Sequence, residues 1–297
     1  MKITVPATSA NLGAGFDSIG LAVNLYLTVE ILEQSEKWHI EHDLGKNIPT
    51  DEQNLLLTAL SATLSAKKAT LTSKYRLRMT SKIPLARGLG SSSSVIIAGI
   101  ELANQLAELH LTTEEKLDIA CQIEGHPDNV APALLGNLVI ASTVDGQTRT
   151  VAAAFPACKL LAFVPNHELK TSKSRQVLPE QLAYKEAVVA SSTANVLSAS
   201  LLTGDLNLAG QMMEKDRFHE KYRATLVPEL AVLRKIGQEN GAYGTYLSGA
   251  GPTIMMLTPA EELSLLTEKI QQEGLKGRLY SLEIDQKGLQ IEKNPNT

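Results

Sequence analysis

The sequence contains few cysteines and few aromatic residues. Among its 297 residues there are two cysteines, Cys121 and Cys158, and both lie in apolar surroundings. A disulfide scaffold or a zinc site needs more cysteines at closer spacing, so we expect two buried thiols in a reducing compartment. One Trp, seven Tyr and four Phe leave few rings on which nucleic-acid bases could stack.

Neither sign of charge is in large excess, and long apolar runs are missing. The 28 Lys and Arg residues and 32 Asp and Glu residues give a net charge of -4. A nucleic-acid-binding protein normally has a basic excess, so we expect no nucleic-acid partner. No run of about 18 apolar residues occurs, and the N-terminal segment lacks the apolar core of a signal peptide. We therefore expect a cytoplasmic protein that makes no membrane contact.

The length predicts about two domains of roughly 150 residues each. We place them at residues 1–150 and 151–297, because Asp145-Gly146 has the composition of a hairpin turn near a change of organisation. Strands and helices are interspersed without strict alternation, which favours an α+β fold over a doubly wound α/β fold.

Local patterns predict most of the elements. Alternating side chains predict a half-buried strand over 74–81. A helix is predicted from Ser92 to Leu109 with Ser91 or Ser92 as its N-cap, and another over 113–124 with a capping box. Further strands are predicted from residue 3 and near 21–32, 138–142, 159–164, 243–247, 253–258 and 277–285, and further helices near 180–202, 204–216, 228–240 and 260–273.

The segment from Ile83 to Ser94, IPLARGLGSSSS, carries the strongest chemical signal. Gly88 and Gly90 would let backbone amides approach a ligand, and the helix that follows adds unpaired N–H groups and a positive dipole end. We interpret this segment as a phosphate loop; the alternative is a flexible turn with a redundant helix cap. No Walker motif, complete G-x-G-x-x-G motif or protein-kinase signature is present.

Two other segments are rich in glycine. Residues 241–251 hold four of the 20 glycines, and three of these four lie in the run YGTYLSGAGPTIMML at 243–257. This run is either a tight turn between strands or a loop that closes over a phosphate or holds neighbouring loops. The other segment, PATSANLGAGFDSIGLAV, places Asn11 and Asp17 in a loop of small residues, where a lone aspartate is often only a turn cap.

Together with EGHPDNVAPALLGN at 124–137, these segments resemble the small-molecule kinases named for galactose, homoserine, mevalonate and phosphomevalonate (GHMP kinases), and within them the homoserine kinase family. The resemblance covers essentially the whole chain. It implies an N-terminal half similar to a domain of a small-subunit ribosomal protein and a ferredoxin-like C-terminal half. It also implies transfer of the γ-phosphoryl group of ATP to the side-chain hydroxyl of L-homoserine, which yields the threonine precursor O-phospho-L-homoserine.

The resemblance assigns substrate contacts. Asp17 would bind the ammonium group, while Arg175 and Arg223 would bind the carboxylate, because a guanidinium can hold a carboxylate with two parallel hydrogen bonds. Each arginine taken alone would be interpreted as a surface residue. The further substrate residues that the resemblance implies are Asn11, Asn129, Thr171 and Gly249.

The resemblance also assigns nucleotide and metal contacts. Ser92 and Glu124 would hold Mg²⁺ against the β- and γ-phosphates, since this hard cation needs few protein ligands. Glu124 taken alone is an ordinary glutamate at a helix end. The ATP-binding residues implied are Asn54, Pro84, Leu85, Ala86, Arg87, Gly88, Leu89, Gly90, Ser91, Ser92, Ser93 and Ser94.

The catalytic group implied is Asn129, Asp128 and Asn11. Homoserine kinases are described as having an asparagine, matched by Asn129, where related kinases have a base, so Asp128 is either a base or a supporting group. His126 is expected to be structural, and Arg87 could reach the γ-phosphate or face solvent. Some relatives have extra residues between Glu124 and His126 that this chain lacks.

Two alternative functions and the oligomeric state stay open at this point. The chain could be another GHMP kinase that acts on mevalonate or shikimate, although those substrates have no ammonium group for Asp17. It could also be a non-catalytic relative that binds nucleotide or a partner protein. A homodimer is a further possibility, because homodimers are common among soluble enzymes.

Overall fold

The fold contains two β-sheets with helices packed against them. A computed structural model describes residues 1–293. Its strands are β1 (Lys2–Ala10), β2 (Ile19–Ser35), β3 (His39–Glu41), β4 (Lys74–Ser81), β5 (Leu138–Val144), β6 (Gln147–Ala153), β7 (Lys159–Pro165), β8 (Gly244–Leu247), β9 (Ile254–Thr258), β10 (Gly277–Leu282) and β11 (Gln290–Glu292). Its helices are α1 (Leu55–Ala66), α2 (Ser91–Leu106), α3 (Thr113–Glu124), α4 (Pro127–Leu135), α5 (Thr171–Gln176), α6 (Tyr184–Thr203), α7 (Leu206–Met213), α8 (Glu220–Arg223), α9 (Glu229–Glu239) and α10 (Leu263–Gln272).

The first sheet has seven strands. Five lie in the order β11-β1-β2-β4-β3, while β5 pairs with β2 and β6 pairs with β5. All of these pairs are antiparallel except β3 with β4. The second half of β1 is fully buried, because it is packed on both faces. The loop that leaves β1 at Ala10 therefore starts inside the molecule.

The second sheet has four antiparallel strands in the order β10-β7-β9-β8. One face packs on α9 and α10 through a small apolar core that includes Phe163, Leu233, Leu247 and Met256. The chain passes from the first sheet to the second between β6 and β7, and β11 later returns to pair with β1. A domain boundary at residue 150 stays a prediction.

The α+β class is confirmed, and several elements match the prediction closely. Strand β4 spans 74–81 as predicted, and α3 spans 113–124 with a complete capping box between Thr112 and Glu115. Within residues 1–293, no helix is both long and apolar enough to cross a lipid bilayer.

The predicted serine cap of α2 is wrong. The helix begins at Ser91, and its N-cap is Gly90, a residue in the left-handed conformation with no side-chain cap. The serine hydroxyls that follow have other partners: those of Ser92 and Ser93 donate to Glu124, and that of Ser94 donates to the Pro6 carbonyl. The amides at the start of α2 therefore receive no cap from these hydroxyls.

Candidate active site

A cavity of about 510 Å³ brings the three glycine-containing segments together. Part of its wall is apolar and is formed by Leu44, Ile48, Pro49, Leu55 and Met79. The other part carries charged side chains: Asp17, Glu124, Asp128, Arg175 and Arg223. A site with one apolar part and one charged part suits a ligand that has an aromatic base at one end and ionic groups at the other.

The loop before α2 directs its carbonyl groups toward the protein. Four successive carbonyls, those of residues 86–89, accept hydrogen bonds from neighbouring segments. The donors are, in order, the Leu169 amide at 3.2 Å, the Thr253 amide at 3.1 Å, the Ser248 hydroxyl at 2.7 Å and the Thr8 amide at 3.1 Å. For the amides of residues 87–93, the described part of the chain offers no hydrogen-bond acceptor. Unpaired amides at a helix N-terminus form a binding site for an anion.

At two positions in this loop, both the backbone conformation and the close approach of neighbouring atoms require glycine. Gly88 has φ +76°, and a Cβ atom there would lie 2.4 Å from the Ser248 carbonyl oxygen. Gly90 has φ +67°, and a Cβ atom would lie 1.9 Å from the Thr8 hydroxyl oxygen. Any larger residue would push the loop away from these neighbours and toward the cavity.

The segment around Gly249 holds the neighbouring loops. The buried Ser248 hydroxyl bonds to the Ser9 hydroxyl at 2.8 Å as well as to the Gly88 carbonyl. The Gly249 amide donates to the Ala10 carbonyl at 3.0 Å. The segment therefore ties the end of β1 to the loop before α2.

Arg87 lies within this loop, and its guanidinium is hydrogen-bonded to backbone carbonyls. Its guanidinium donates to the carbonyls of Leu85 at 3.1 Å, Pro165 at 3.1 Å and Asn166 at 2.8 Å, and lies 3.5 Å from the Glu168 carboxylate. The side chain is 15% exposed and lines the cavity. It fastens the loop to the end of β7.

Glu124 meets the start of α2. Its carboxylate accepts from the Ser93 hydroxyl at 2.9 Å and from the Ser92 hydroxyl at 3.3 Å. Glu124 is the last residue of α3, where the helix dipole disfavours a negative charge. An acid kept at such a position, beside free amides and hydroxyls, is suited to a cation that accompanies a bound phosphate.

The start of α4 places three polar side chains beside Glu124. His126 Nδ1 lies 2.5 Å from Asp128 Oδ1, and Asn129 Oδ1 accepts from the Thr8 hydroxyl at 2.8 Å. Burial disfavours the charged imidazole, but the hydrogen bond to Asp128 and the surrounding carboxylates outweigh it and raise the pKa of His126. The side-chain amide of Asn129 is thus held in one orientation, and one carboxylate oxygen of Asp128 is engaged in the contact with His126.

Asp17 and Asn11 form the next part of the wall. Asp17 has φ +53°, and its backbone amide donates to Asn11 Oδ1 at 3.0 Å. Asn11 Nδ2 donates to the Gly249 carbonyl at 3.0 Å. The Asp17 carboxylate forms two hydrogen bonds with Arg175, from Nη1 at 3.1 Å and from Nη2 at 2.6 Å. Asn11 therefore fixes the loop that presents Asp17.

Arg223 is a buried cation at the cavity wall, with only 2% of its surface exposed. Within residues 1–293, no carboxylate lies within 4.0 Å of its guanidinium. Burial, reinforced by the nearby charge of Arg175, lowers the pKa of Arg223 to about 10. The side chain is still charged at neutral pH, so this part of the cavity is suited to an anion.

The remaining predicted residues are less uniform in position. Thr171, the first residue of α5, lines the cavity. Asn54 also lines it, but its side chain caps α1 through Leu56 and donates to the Pro49 carbonyl at 2.6 Å. Pro84 and Ser94 are absent from the cavity wall. The predicted site residues are thus brought together, with these two exceptions.

Several residues at the cavity were not predicted from the sequence. Phe16 and Lys170 line the charged part, next to the predicted Asp17 and Thr171. Their adjacency to those residues was the only signal available. The apolar wall comes from separated elements, so its residues shared no local pattern.

Comparisons with known proteins agree on the family. Residues 54–137 match the family described as GHMP kinases N terminal domain, and residues 197–276 match GHMP kinases C terminal. The chain is 73% identical over 294 residues to a homoserine kinase of Lactococcus lactis, covering 99% of both chains. It is 59% identical to a homoserine kinase of Streptococcus mutans, covering 99% of this chain and 100% of that one. It is also similar to the crystal structure of a homoserine kinase from Cytophaga hutchinsonii, with a TM-score of 0.84 and 28% identity over 98% and 96% of the two chains.

Proposed function

We propose a role for each part of the cavity from the premise that this chain belongs to the GHMP kinases and, within them, to the homoserine kinases. It catalyses ATP-dependent phosphorylation of the side-chain hydroxyl of L-homoserine, giving O-phospho-L-homoserine for threonine biosynthesis. The observation that carries the assignment of the site is the set of free amides at 87–93, which lies in the same cavity as Asp17, Arg175 and Arg223.

The free amides bind the phosphates of ATP. Their donors replace water around the phosphate oxygens, and the positive end of α2 adds a favourable field. The apolar wall at Leu44, Ile48 and Met79 then accommodates the base. Because the loop carbonyls already have partners, the loop is held in place by the protein while its amides stay available to the phosphates.

Ser92 and Glu124 suit a magnesium ion that accompanies the nucleotide. Both offer oxygen atoms, and their contact of 3.3 Å places those atoms side by side. Mg²⁺ is usually held by one or two protein carboxylates or hydroxyls together with substrate phosphates and waters. When bound, it supplies positive charge that offsets the charge developing on the phosphate oxygens.

The charged part of the cavity accommodates the amino-acid end of homoserine. Asp17 receives the ammonium group, and Arg175 and Arg223 receive the carboxylate. Asp17 and Arg175 neutralise each other in the structure. Homoserine brings one charge of each sign, so it can satisfy both side chains when their pairing loosens. Mevalonate and shikimate have no ammonium group and would leave Asp17 without a cation.

In the chemical step, the homoserine hydroxyl oxygen forms a bond to the γ-phosphorus as the bond to the oxygen bridging the β- and γ-phosphates breaks. The electron pair of the broken bond stays on ADP, and the hydroxyl proton passes to an oxygen of the transferred phosphoryl group and from there to water. Asn129 orients the hydroxyl through its fixed amide, while the free amides at 87–93 stabilise the phosphate charge. A loose transition state of this kind depends mainly on positioning and electrostatics.

A substrate panel tests this assignment. We expect ADP release with ATP and L-homoserine, with phosphorus NMR identifying the phosphate ester, and no release above background with mevalonate or shikimate. Turnover on mevalonate without turnover on homoserine would refute the substrate assignment. ATP hydrolysis that no alcohol accelerates would instead refute the kinase activity.

A further inference from the structure

Within residues 1–293, the guanidinium of Arg223 is hydrogen-bonded to neutral groups only. Its Nε donates to the Ser174 carbonyl at 3.2 Å, and its Nη1 lies 3.0 Å from both the Gly249 carbonyl and His219 Nδ1. For Nη2, no protein acceptor is found in the described part of the chain, and the residue lines the cavity. Nη2 is therefore the donor left for a ligand, and the contacts of Nε and Nη1 set its direction.

His219 makes one of these contacts, and the geometry determines which ring nitrogen carries the proton. The His219 side chain is fully buried. Nε2 lies 2.9 Å from the Gly13 carbonyl oxygen, which can only accept, so Nε2 donates. Nδ1 faces a guanidinium nitrogen, which can only donate, so Nδ1 accepts. His219 is therefore neutral, and it links the loop after β1 to Arg223.

Asp216 holds the backbone of His219 in place. Its carboxylate accepts from the backbone amides of Phe218 at 3.0 Å, His219 at 2.8 Å and Glu220 at 2.7 Å. These bonds form a rigid turn just before α8. The imidazole is thus placed by the backbone as well as by its two ring contacts.

Phe16 covers the other side of the imidazole. Its ring stacks on the His219 ring with centroids 5.2 Å apart and an angle of 22° between the planes. The guanidinium carbons of Arg223 and Arg175 lie 5.5 Å and 5.7 Å from the Phe16 centroid. An aromatic ring attracts cations at this distance, and here it attracts both arginines. Two like charges are thereby kept close to each other beside the adjacent Asp17.

We propose that His219 and Phe16 are positioning residues that direct Arg223 Nη2 at the carboxylate of the substrate. They act through Arg223 and do not touch the reacting atoms. They thereby set the preference for an amino-acid alcohol over an alcohol that lacks the carboxylate. This inference rests on the proposed function, because it presumes that homoserine occupies the charged part of the cavity.

Two substitutions of His219 separate its two contacts. In His219→Gln the longer side chain places its amide near the position of Nε2, which keeps a donor for Gly13 but removes the acceptor for Arg223. In His219→Asn the shorter side chain places its oxygen near the position of Nδ1, which keeps the acceptor for Arg223. A hydrogen bond to a charged group is worth about tenfold or more in binding. We expect His219→Gln to raise the KM for homoserine about tenfold with kcat nearly unchanged, and His219→Asn to restore most of the affinity.

A substrate analogue without the carboxylate distinguishes the loss of this contact from a general loss of packing around His219. The analogue 3-amino-1-propanol (aminopropanol below) is homoserine without its carboxylate. The KM for aminopropanol should therefore be the same in the wild type and in His219→Gln. The preference for homoserine over aminopropanol should therefore fall about tenfold. His39→Gln, an exposed histidine on β3 outside the cavity wall, serves as the matched control and should change neither KM.

Phe16→Leu tests the same proposal while His219 itself is unchanged. It keeps an apolar side chain but removes the ring face, and we expect a several-fold rise in the KM for homoserine and none for ATP. If His219→Gln does not fold, the Phe16→Leu result decides. An unchanged homoserine KM in a folded variant, or an equal rise for homoserine and aminopropanol, would overturn the inference. Failure of the wild type itself to phosphorylate homoserine would instead refute the proposed function.

Discussion

Arg175 and Asp17 are paired in the cavity wall, with Nη2 2.6 Å from Oδ1, although the two residues are 158 positions apart in the chain. The side chains are 37% and 33% exposed, so solvent screens the pair and it contributes about 1 kcal/mol or less to folding. The pair therefore matters mainly for substrate binding. Asp17 and Arg175 are proposed to bind the ammonium and the carboxylate of homoserine, and their contact with each other orders both side chains for that role.

Asp17→Asn separates binding from stability. Asparagine tolerates the left-handed backbone at this position as well as aspartate does, so the melting temperature should change little. The neutral amide cannot pair with an ammonium group, and we expect the KM for homoserine to rise at least tenfold while the KM for ATP stays constant. Steady-state kinetics with a thermal melt provide the measurement. Glu30→Gln, at a carboxylate on β2 that is 40% exposed and lies outside the cavity wall, is the control. An unchanged homoserine KM in Asp17→Asn would remove Asp17 from the site.

Gly88→Ala tests the phosphate loop. The left-handed backbone alone costs an alanine about 1–2 kcal/mol, and the Cβ atom would also overlap the Ser248 carbonyl. We expect the displaced loop to raise the KM for ATP at least tenfold. Gly146→Ala is the matched control, since Gly146 has φ +73° but nothing within 4 Å of its added Cβ. That control should lose stability and keep its KM for ATP; equal KM values in both variants would show that the loop does not hold the nucleotide.

Glu124→Gln tests the magnesium site. Glutamine keeps the size and can accept from one of the two serine hydroxyls through its oxygen, while its NH2 group can donate to the other, and the negative charge is removed. We expect a lower kcat and a rise of about tenfold in the Mg²⁺ concentration needed for half-maximal rate. Glu114→Gln, in the first turn of α3, should leave both quantities unchanged. A titration of rate against Mg²⁺ at saturating ATP gives the result, and an unaltered midpoint would exclude Glu124 as a ligand.

Cys158 gives a pH-dependent prediction. Burial raises the pKa of its thiol to about 11, so at pH 8 the reactive thiolate is scarce. In Cys121→Ala, where Cys158 is the remaining thiol, we expect labelling by a disulfide reagent to be about a hundredfold slower than in the urea-unfolded chain. The sign follows from the raised pKa: the folded rate should increase about tenfold per pH unit up to pH 11. Rapid labelling of the folded protein at pH 8 would contradict it.

Elements with local signals could be predicted from the sequence, and contacts between distant segments could not. The alternation over 74–81 and the capping box at Thr112 are each contained in a few residues, and both are found in the structure. Helices α1 and α4 went unpredicted: α1 is apolar over most of its length, and α4 contains Pro132, which normally interrupts a helix.

The site shows the same division. The phosphate loop could be located because its glycines and serines are consecutive. The burial of Arg223 could not, since it depends on Ser174, His219 and Gly249, which only the folded chain brings together. The contacts by which Arg87 holds the phosphate loop depend likewise on carbonyls at the end of β7. Spacing along the chain carries no information on such contacts.

Asp128→Asn distinguishes a catalytic base from a supporting group. Asp128 is 2% exposed, and its Oδ1 already contacts His126 at 2.5 Å and Asn129 Nδ2 at 3.4 Å. In a loose transition state the attacking hydroxyl keeps its proton until late, so a general base contributes little. We therefore expect kcat to fall about tenfold, less than the 10²–10⁴-fold typical of a lost general base. Asp145→Asn, in the turn between β5 and β6, is the control and should keep full activity. Single-turnover rates at saturating substrates isolate the chemical step, and a thousandfold loss there with unchanged KM values would instead assign the hydroxyl proton to Asp128.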